Sequence, residues 1–259
     1  MRVLKRGCTG NDVRYLQYKL GVSADGSFGA ATEKALRVQQ KKLGLSADGS
    51  CGPATRKAMG LADFIVWVFD PIVDKIWFAG EKYEKQPKKL RTLKEWAQIE
   101  NADYTWNLAF FNMRRGQDKY GEQYGRTIQY VRGKGYDIGY GGTVDKLTIN
   151  ANNICSGYKV AVAGGNSKLV SITGKRARNA NGLLADGRYF HVQSVTKATE
   201  KEIRDYMVRN YKVQTMLIQD SGGSTGFYDR SRNVLLAGEQ EGRNGRAVAT
   251  VVCVRKGTK

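Results

Sequence analysis

Asp220-Ser221-Gly222-Gly223-Ser224-Thr225 is the stretch of this chain best suited to chemistry. It follows Val213-Gln214-Thr215-Met216-Leu217-Ile218-Gln219, a run that reads as a strand. Glycines after a strand let backbone N–H groups come close to an anion or a sugar. A carboxylate at the strand end can act as acid, base or metal ligand. The four cysteines, Cys8, Cys51, Cys155 and Cys253, fit no zinc spacing. His191 is the one histidine, so a zinc amidase, which normally needs at least two histidine ligands, is not expected. No metal site is expected.

The elements that must hold this loop are legible around it. Thr92-Leu93-Lys94-Glu95 opens a helix with a capping box, and Thr199-x-x-Glu202 opens another through Ile203, Tyr206 and Met207. Strands are expected over Tyr104 to Phe111, Arg126 to Val131, Tyr158 to Ala163, Leu169 to Ile172 and Tyr189 to Val195. Arg246 to Arg255 reads as a last strand, continuously apolar and buried on both faces. Phe64-Ile65-Val66-Trp67-Val68-Phe69 is too short for a membrane span and is broken by Asp70-Pro71, so a buried strand is expected. Glu81 to Lys89 reads as an exposed charged loop. The class is an α+β domain with a mixed, mostly antiparallel sheet, over residues 62–259.

A repeat marks the N-terminal part. Val22-Ser23-Ala24-Asp25-Gly26-Ser27-Phe28-Gly29-Ala30-Ala31-Thr32 returns as Leu45-Ser46-Ala47-Asp48-Gly49-Ser50-Cys51-Gly52-Pro53-Ala54-Thr55. Asp-Gly is a turn signal, because glycine takes positive φ freely and aspartate bonds its own backbone. Pro53 stands where a first-turn proline is tolerated. Asn11 or Asp12 is expected to cap a first helix carrying Val13, Leu16 and Leu20, with Gly21 ending it. The expectation is a small all-α domain of three short helices over residues 1–61.

The chain has 259 residues, a formal charge of +19 and 41% apolar residues, which suits a globular protein of one or two domains. So basic a chain implies an anionic partner. Zinc-finger spacing, an RNP sequence and a helix-turn-helix are all missing, so nucleic acid is not expected. An anionic cell wall with phosphate polymers suits the charge better. Met1 to Gly7 carries charge but no apolar stretch follows, so no signal peptide is expected. Cys8 and Cys51 could pair, but free thiols are expected in a reducing cytoplasm.

Lys5 to Gln17, with Leu20-Gly21 and the two Asp-Gly-x-x-Gly-x-x-Thr units, resembles the peptidoglycan-binding module of bacterial and phage cell-wall hydrolases. The resemblance implies an all-helical module holding wall glycan or stem peptide. It puts Asp25, Gly26, Phe28 and Gly29, with Asp48 and Gly49 in the second copy, along a binding groove. Cys51 replaces the aromatic of the first copy. A wall binder without a signal peptide fits phage endolysins. These stay in the host cytoplasm until a separate membrane pore, a holin, releases them to the wall.

Asn107-Leu108-Ala109-Phe110-Phe111 resembles the Asn-x-x-Phe-Phe element of the phosphodiester glycosidase family, which includes the enzyme that uncovers mannose 6-phosphate. Arg178-Asn179-Ala180-Asn181-Gly182 stands where that family has Arg-Thr-Ala-x-Gly, and Asp220 to Thr225 where it has Asp-Gly-Gly-Gly-Ser-Ser. Arg246-Ala247-Val248 matches its closing Arg-x-Val. The resemblance implies hydrolysis at a sugar anomeric carbon, here on an amino sugar of wall glycan. Glycoside hydrolysis usually needs two carboxyl groups. Asp220 is the first; Glu100, Asp103 and Glu239 are open as the second. Arg178 and Arg246 would bind a phosphate or a lactyl carboxylate, since guanidinium matches such anions bidentately. Asn107 would bond a sugar hydroxyl or orient Asp220, and Ser221, Gly222, Gly223, Ser224 and Thr225 would line the substrate. No cofactor is implied; a divalent cation stays open.

Two other classes stand beside this one. Asn153-Ile154-Cys155-Ser156-Gly157-Tyr158 resembles the Asp-Cys-Ser-Gly element of cysteine endopeptidases that cut wall stem peptides, with His191 downstream as base. The aspartate before the cysteine is missing, and strand-forming sequence follows Cys155. A non-catalytic wall-binding protein is the third class.

Overall fold

A computed structural model describes residues 1–79, 87–108, 110–113, 120–124, 126–131, 135–140, 143–147, 154–157, 159–163, 166–167, 174–219, 221–239, 245–248 and 250–257. The chain divides into two compact units, Met1–Ile65 and Val66–Lys259.

The first unit carries α1 (Asn11–Leu20), α2 (Ala30–Lys42) and α3 (Pro53–Ala58). Asn11 and Asp12 do not cap α1. Gly10 is its N-cap, and Asp12, inside the first turn, accepts from the Arg2 guanidinium at 3.0 Å and from Val13 N–H at 3.0 Å. Gly21 ends α1 in the left-handed conformation, φ 70°. Pro53 opens α3, where its missing N–H has no intrahelical acceptor to lose. Leu4, Val13, Leu16, Phe28, Leu36 and Cys51 are all buried. The bridges Leu4↔Cys51 and Thr9↔Ser27 fasten the N-terminal segment to the two repeat loops.

Each repeat loop is held by one buried glutamine. The Gln17 amide donates to Asp25 Oδ1 at 2.7 Å, Ser27 O at 2.9 Å and Thr32 Oγ1 at 3.0 Å, and its Oε1 accepts from Gly26 N–H at 2.8 Å. Gln40 repeats this with Asp48 at 2.8 Å, Ser50 O at 3.0 Å, Thr55 at 3.1 Å and Gly49 N–H at 3.0 Å. The partners recur at one step: 17 to 40, 25 to 48 and 32 to 55 are each 23 residues. Structural duplication follows sequence duplication down to single hydrogen bonds.

Strand β1 (Phe64–Phe69) leads into β2 (Lys75–Ala79), β3 (Pro87–Lys89) and α4 (Leu93–Ile99). Then come β4 (Tyr104–Asn107), β5 (Phe110–Met113), β6 (Tyr120–Tyr124), β7 (Arg126–Val131), β8 (Gly135–Tyr140), β9 (Thr143–Leu147), β10 (Ile154–Gly157), β11 (Lys159–Ala163) and β12 (Asn166–Ser167). The chain continues through β13 (Asn179–Leu184), β14 (Tyr189–Ser194), α5 (Glu200–Asn210), β15 (Val213–Ile218), β16 (Gly226–Asp229), β17 (Val234–Ala237) and β18 (Val251–Arg255). Both expected capping boxes form: Thr92 with Glu95 starts α4, and Thr199 with Glu202 starts α5.

Two sheets matter for the site. One has strand order β1-β14-β13-β15-β11-β12, the other β17-β16-β4-β18-β2. The registers of β13 with β14 and β15, and of β4 with β16 and β18, are antiparallel. The domain is α+β. Side chains alternate across a strand, and β18 shows it: Val252 and Val254 join Trp106, Leu183, Tyr189 and Phe227 in a core between the two sheets. Val251 and Cys253 face the other way, onto Leu93, Trp96 and Ala97 of α4. Helix α5 packs on β15 and β11.

Two expected strands differ. Tyr104 to Phe111 is not continuous: β4 and β5 belong to different sheets. Leu108 is buried in the core between the large sheets, so the chain turns inward there. The last strand begins at Val251 rather than Arg246, because Arg246 lies on the glycine loop and Val248 forms only an isolated bridge with Arg91. The strand expected over Leu169 to Ile172 lies outside the described residues.

Candidate functional site

Strand β15 delivers the glycine loop to the start of β13. Gln219 N–H donates to Asn179 O at 3.1 Å, and Gly222 N–H to Ala177 O at 2.8 Å. Thr225 Oγ1 donates to the same Ala177 carbonyl at 3.2 Å. Gly222 to Ser224 form one tight turn, closed by Thr225 N–H on Gly222 O at 3.1 Å. Gly222 has φ +69°, where a side chain would be strained. Ser221 Oγ donates to Gln219 O at 3.1 Å. Asp220 itself lies outside the described residues.

The distant motif elements meet at this loop. Arg246 Nη1 lies 3.4 Å from Ser224 Oγ, and a Cβ on Gly223 would stand 2.8 Å from the guanidinium. Asn107, at the end of β4, accepts from Asn179 Nδ2 at 2.8 Å, with both residues fully buried. Of the three carboxylates open as a second acid or base, one comes to the loop: Glu239 Oε1 accepts from Ala177 N–H at 2.8 Å. Glu100 accepts from Trp77 Nε1 at 3.0 Å, and Asp103 from Lys256 N–H at 2.8 Å.

Arg178 is not set as the expected anion clamp. Its guanidinium donates to Ala198 O at 3.2 Å and Gly174 O at 2.9 Å, and pairs with buried Glu200 at 3.4 Å. Burial lowers its pKa and Glu200 opposes that shift. The pair ties β13 to the first turn of α5. Asn107 likewise faces Asn179, inside the fold.

His191 sits in an aromatic stack. Its ring centroid lies 4.7 Å from that of Trp106, 5.4 Å from Trp67 and 5.7 Å from Phe227. Its Nδ1 lies 2.8 Å from Asn181 Oδ1. Complete burial drives its pKa well below the ordinary value, since a charged imidazole would lose its water there. Cys155 belongs to β10, opposite Ile128 of β7, and starts no helix. This setting gives a thiol peptidase neither an accessible base nor its usual helix.

In the first unit, the expected groove residues divide. Asp25 accepts from Ser27 N–H at 2.8 Å and Asp48 from Ser50 N–H at 2.8 Å. These bonds, with those from Gln17 and Gln40, hold both carboxyls below the usual range. Gly26 and Gly49 take φ +80° and +75° beneath the Arg14 and Arg37 guanidinium groups. Gly29 caps α2 and is exposed. Phe28 does not line a groove: it is 1% exposed and is a core residue, and Cys51 fills the matching core position.

Cys8, Cys51 and Cys253 are free. Among the described residues, no group of three or more His, Cys, Asp or Glu side chains could hold a metal ion, and no helix is long and apolar enough to cross a membrane.

A family model for peptidoglycan binding domains matches residues 9–59. Among solved structures, the chain is similar to the catalytic domain of zebrafish N-acetylglucosamine-1-phosphodiester alpha-N-acetylglucosaminidase, auto-inhibited by its pro-peptide. The TM-score is 0.50 at 13% identity, covering 74% of this chain and 83% of that one. A Synechocystis protein gives TM-score 0.49 at 11% identity, covering 74% of this chain and 58% of that one. A Burkholderia pseudomallei protein gives 0.49 at 9%, covering 74% and 73%. Comparison with curated protein sequences gives no match. At such identity the zebrafish likeness is one of fold.

Proposed function

We propose that this chain is a cell-wall lytic enzyme of the phage endolysin type. Its first unit binds peptidoglycan and anionic wall polymers; its second hydrolyses a glycosidic linkage at the anomeric carbon of an amino sugar. One observation carries the second half. Four elements far apart in sequence converge: Asn107 on Asn179, Asn179 O on Gln219 N–H, Ala177 O on Gly222 N–H, and Arg246 on the Gly223–Ser224 turn. The fold shared with the zebrafish glycosidase supports the same reading.

Asp220 is the general acid in this proposal, protonating the leaving oxygen. Ser221 and Gly223, the half-buried residues of the turn, face the sugar, while Gly222, Ser224 and Thr225 are buried and shape the turn beneath it. Arg246 meets an anionic group of the substrate. Asn107 is a positioning residue acting through Asn179, and Arg178 holds the β13–α5 junction through Glu200.

Product analysis on purified walls tests the reading. Released reducing sugar supports a glycosidase. Released amino groups alone would replace it with a peptidase, and no release would leave a wall-binding protein.

A further inference from the structure

We propose that Glu239 is the second carboxylate of the glycosidic site and takes the proton of the attacking water. The proposal rests on the glycosidase reading above and adds a residue to it.

Glu239 is half-buried, and among the described residues one hydrogen bond anchors its carboxylate. Ala177 N–H holds Oε1 at 2.8 Å, while Oε2 lies 3.7 Å from where a Cβ on Gly222 would stand. Arg176 Nη1 lies 3.8 Å from that same point. A carboxylate and a guanidinium therefore both lie against the same face of Gly222, which is itself buried. The backbone fixes this arrangement. Glu239 N–H donates to Gly222 O at 3.3 Å, and Gly238 N–H to Thr225 O at 2.5 Å. A Cβ on Gly238 would stand 2.3 Å from Gly222 O, so residues 238–239 can approach the loop only with glycine at 238. A carboxylate aimed by its neighbour's N–H, with its second oxygen turned to the proposed sugar-binding turn, suits proton transfer.

The step balances with one water. The water oxygen bonds to the anomeric carbon, and its proton passes to the Glu239 carboxylate. The bond from that carbon to the leaving oxygen breaks, its electron pair going to the oxygen. Asp220 supplies the proton which that oxygen takes. Arg176, exposed beside the carboxylate, is placed to meet an anionic group next to the bond being cut.

The test uses the full chain and purified walls. Glu239→Gln keeps an oxygen for Ala177 N–H, so the loop should stay folded. Release of reducing ends should fall by about 10²–10⁴-fold, the usual loss for a general base. Azide added to Glu239→Ala should restore part of the rate and yield a glycosyl azide, which a merely structural role would not produce. Glu239→Gln at near wild-type rate, or Glu239→Ala without the azide product, would overturn the proposal and leave the glycosidase reading standing. A wild-type protein that releases no reducing sugar would overturn that reading, and this proposal with it.

Discussion

Asn179 donates its side-chain amide to the Asn107 carbonyl oxygen across 2.8 Å, and neither residue is exposed. The bond joins the start of β13 in one large sheet to the end of β4 in the other. It fixes the separation of the two sheets at the level of the glycine loop, because Asn179 O also receives Gln219 N–H.

Breaking that pair should loosen the site before it unfolds the domain. Asn107→Ala should cost about 1–3 kcal/mol, the penalty for leaving a buried polar partner unsatisfied. Denaturant midpoints of Asn107→Ala, Asn179→Ala and the double variant would measure the coupling. Additive losses would show that the two amides do not work as a pair.

The first unit offers a matched pair of tests. Gln17→Ala and Gln40→Ala each remove the amide that serves an Asp-Gly loop. Each should destabilise the unit by about 1–3 kcal/mol or more, since several buried groups lose a partner at once. A fragment of residues 1–65 should sediment with peptidoglycan and stay bound as salt rises, because screening weakens charge attraction alone. A fragment released by moderate salt would leave only non-specific charge binding.

His191 sets a pH dependence with a defined sign. Its pKa is lowered on folding, so the unfolded chain takes up the proton first. Stability should be constant above the ordinary histidine pKa and fall as pH drops below it, by at most about 1.4 kcal/mol per pH unit. Between about pH 6.5 and 5.5 ordinary carboxylates stay largely charged and the chain has 1 histidine, so the difference between wild type and a His191 variant isolates the imidazole. His191→Phe keeps a ring in the stack and should flatten the slope. A wild-type midpoint that does not move over this window would contradict the buried, neutral imidazole.

Two glycines should behave oppositely. A Cβ on Gly182 would stand 1.8 Å from Thr215 O, backbone that cannot yield. Gly182→Ala should therefore separate β13 from β15 and fail to fold. On Gly223 the obstacle is the Arg246 guanidinium at 2.8 Å, the far end of a flexible side chain. Gly223→Ala should fold and lose activity through a displaced Arg246, read as a raised KM. Equal solubility of both variants would argue against the β13–β15 contact.

What could be read in advance was local. Capping boxes at Thr92 and Thr199, the left-handed Gly21 and the first-turn Pro53 depend on neighbours within one turn. Strand β13 escaped a hydrophobic reading, because Asn179 and Asn181 are buried polar residues partnered from other elements. Phe28 looked like a ligand-facing aromatic because nothing in the loop pattern shows which side closes over it. Gln17 and Gln40 carried a usable signal, the same 23-residue step as the loops they hold. Glu239 could not be chosen over Glu100 and Asp103, since a contact across 62 residues leaves no local trace.

Asp220→Asn puts the central claim to the most direct measurement. Amide for carboxylate is nearly isosteric, so fold and wall sedimentation should match wild type. The rate of reducing-end release from purified walls should fall by about 10²–10⁴-fold, as expected for loss of a general acid. Wild-type protein releasing reducing sugar beside an inert Asp220→Asn is the predicted result. An Asp220→Asn protein that releases it at near wild-type rate would contradict the placement of the active site at this loop.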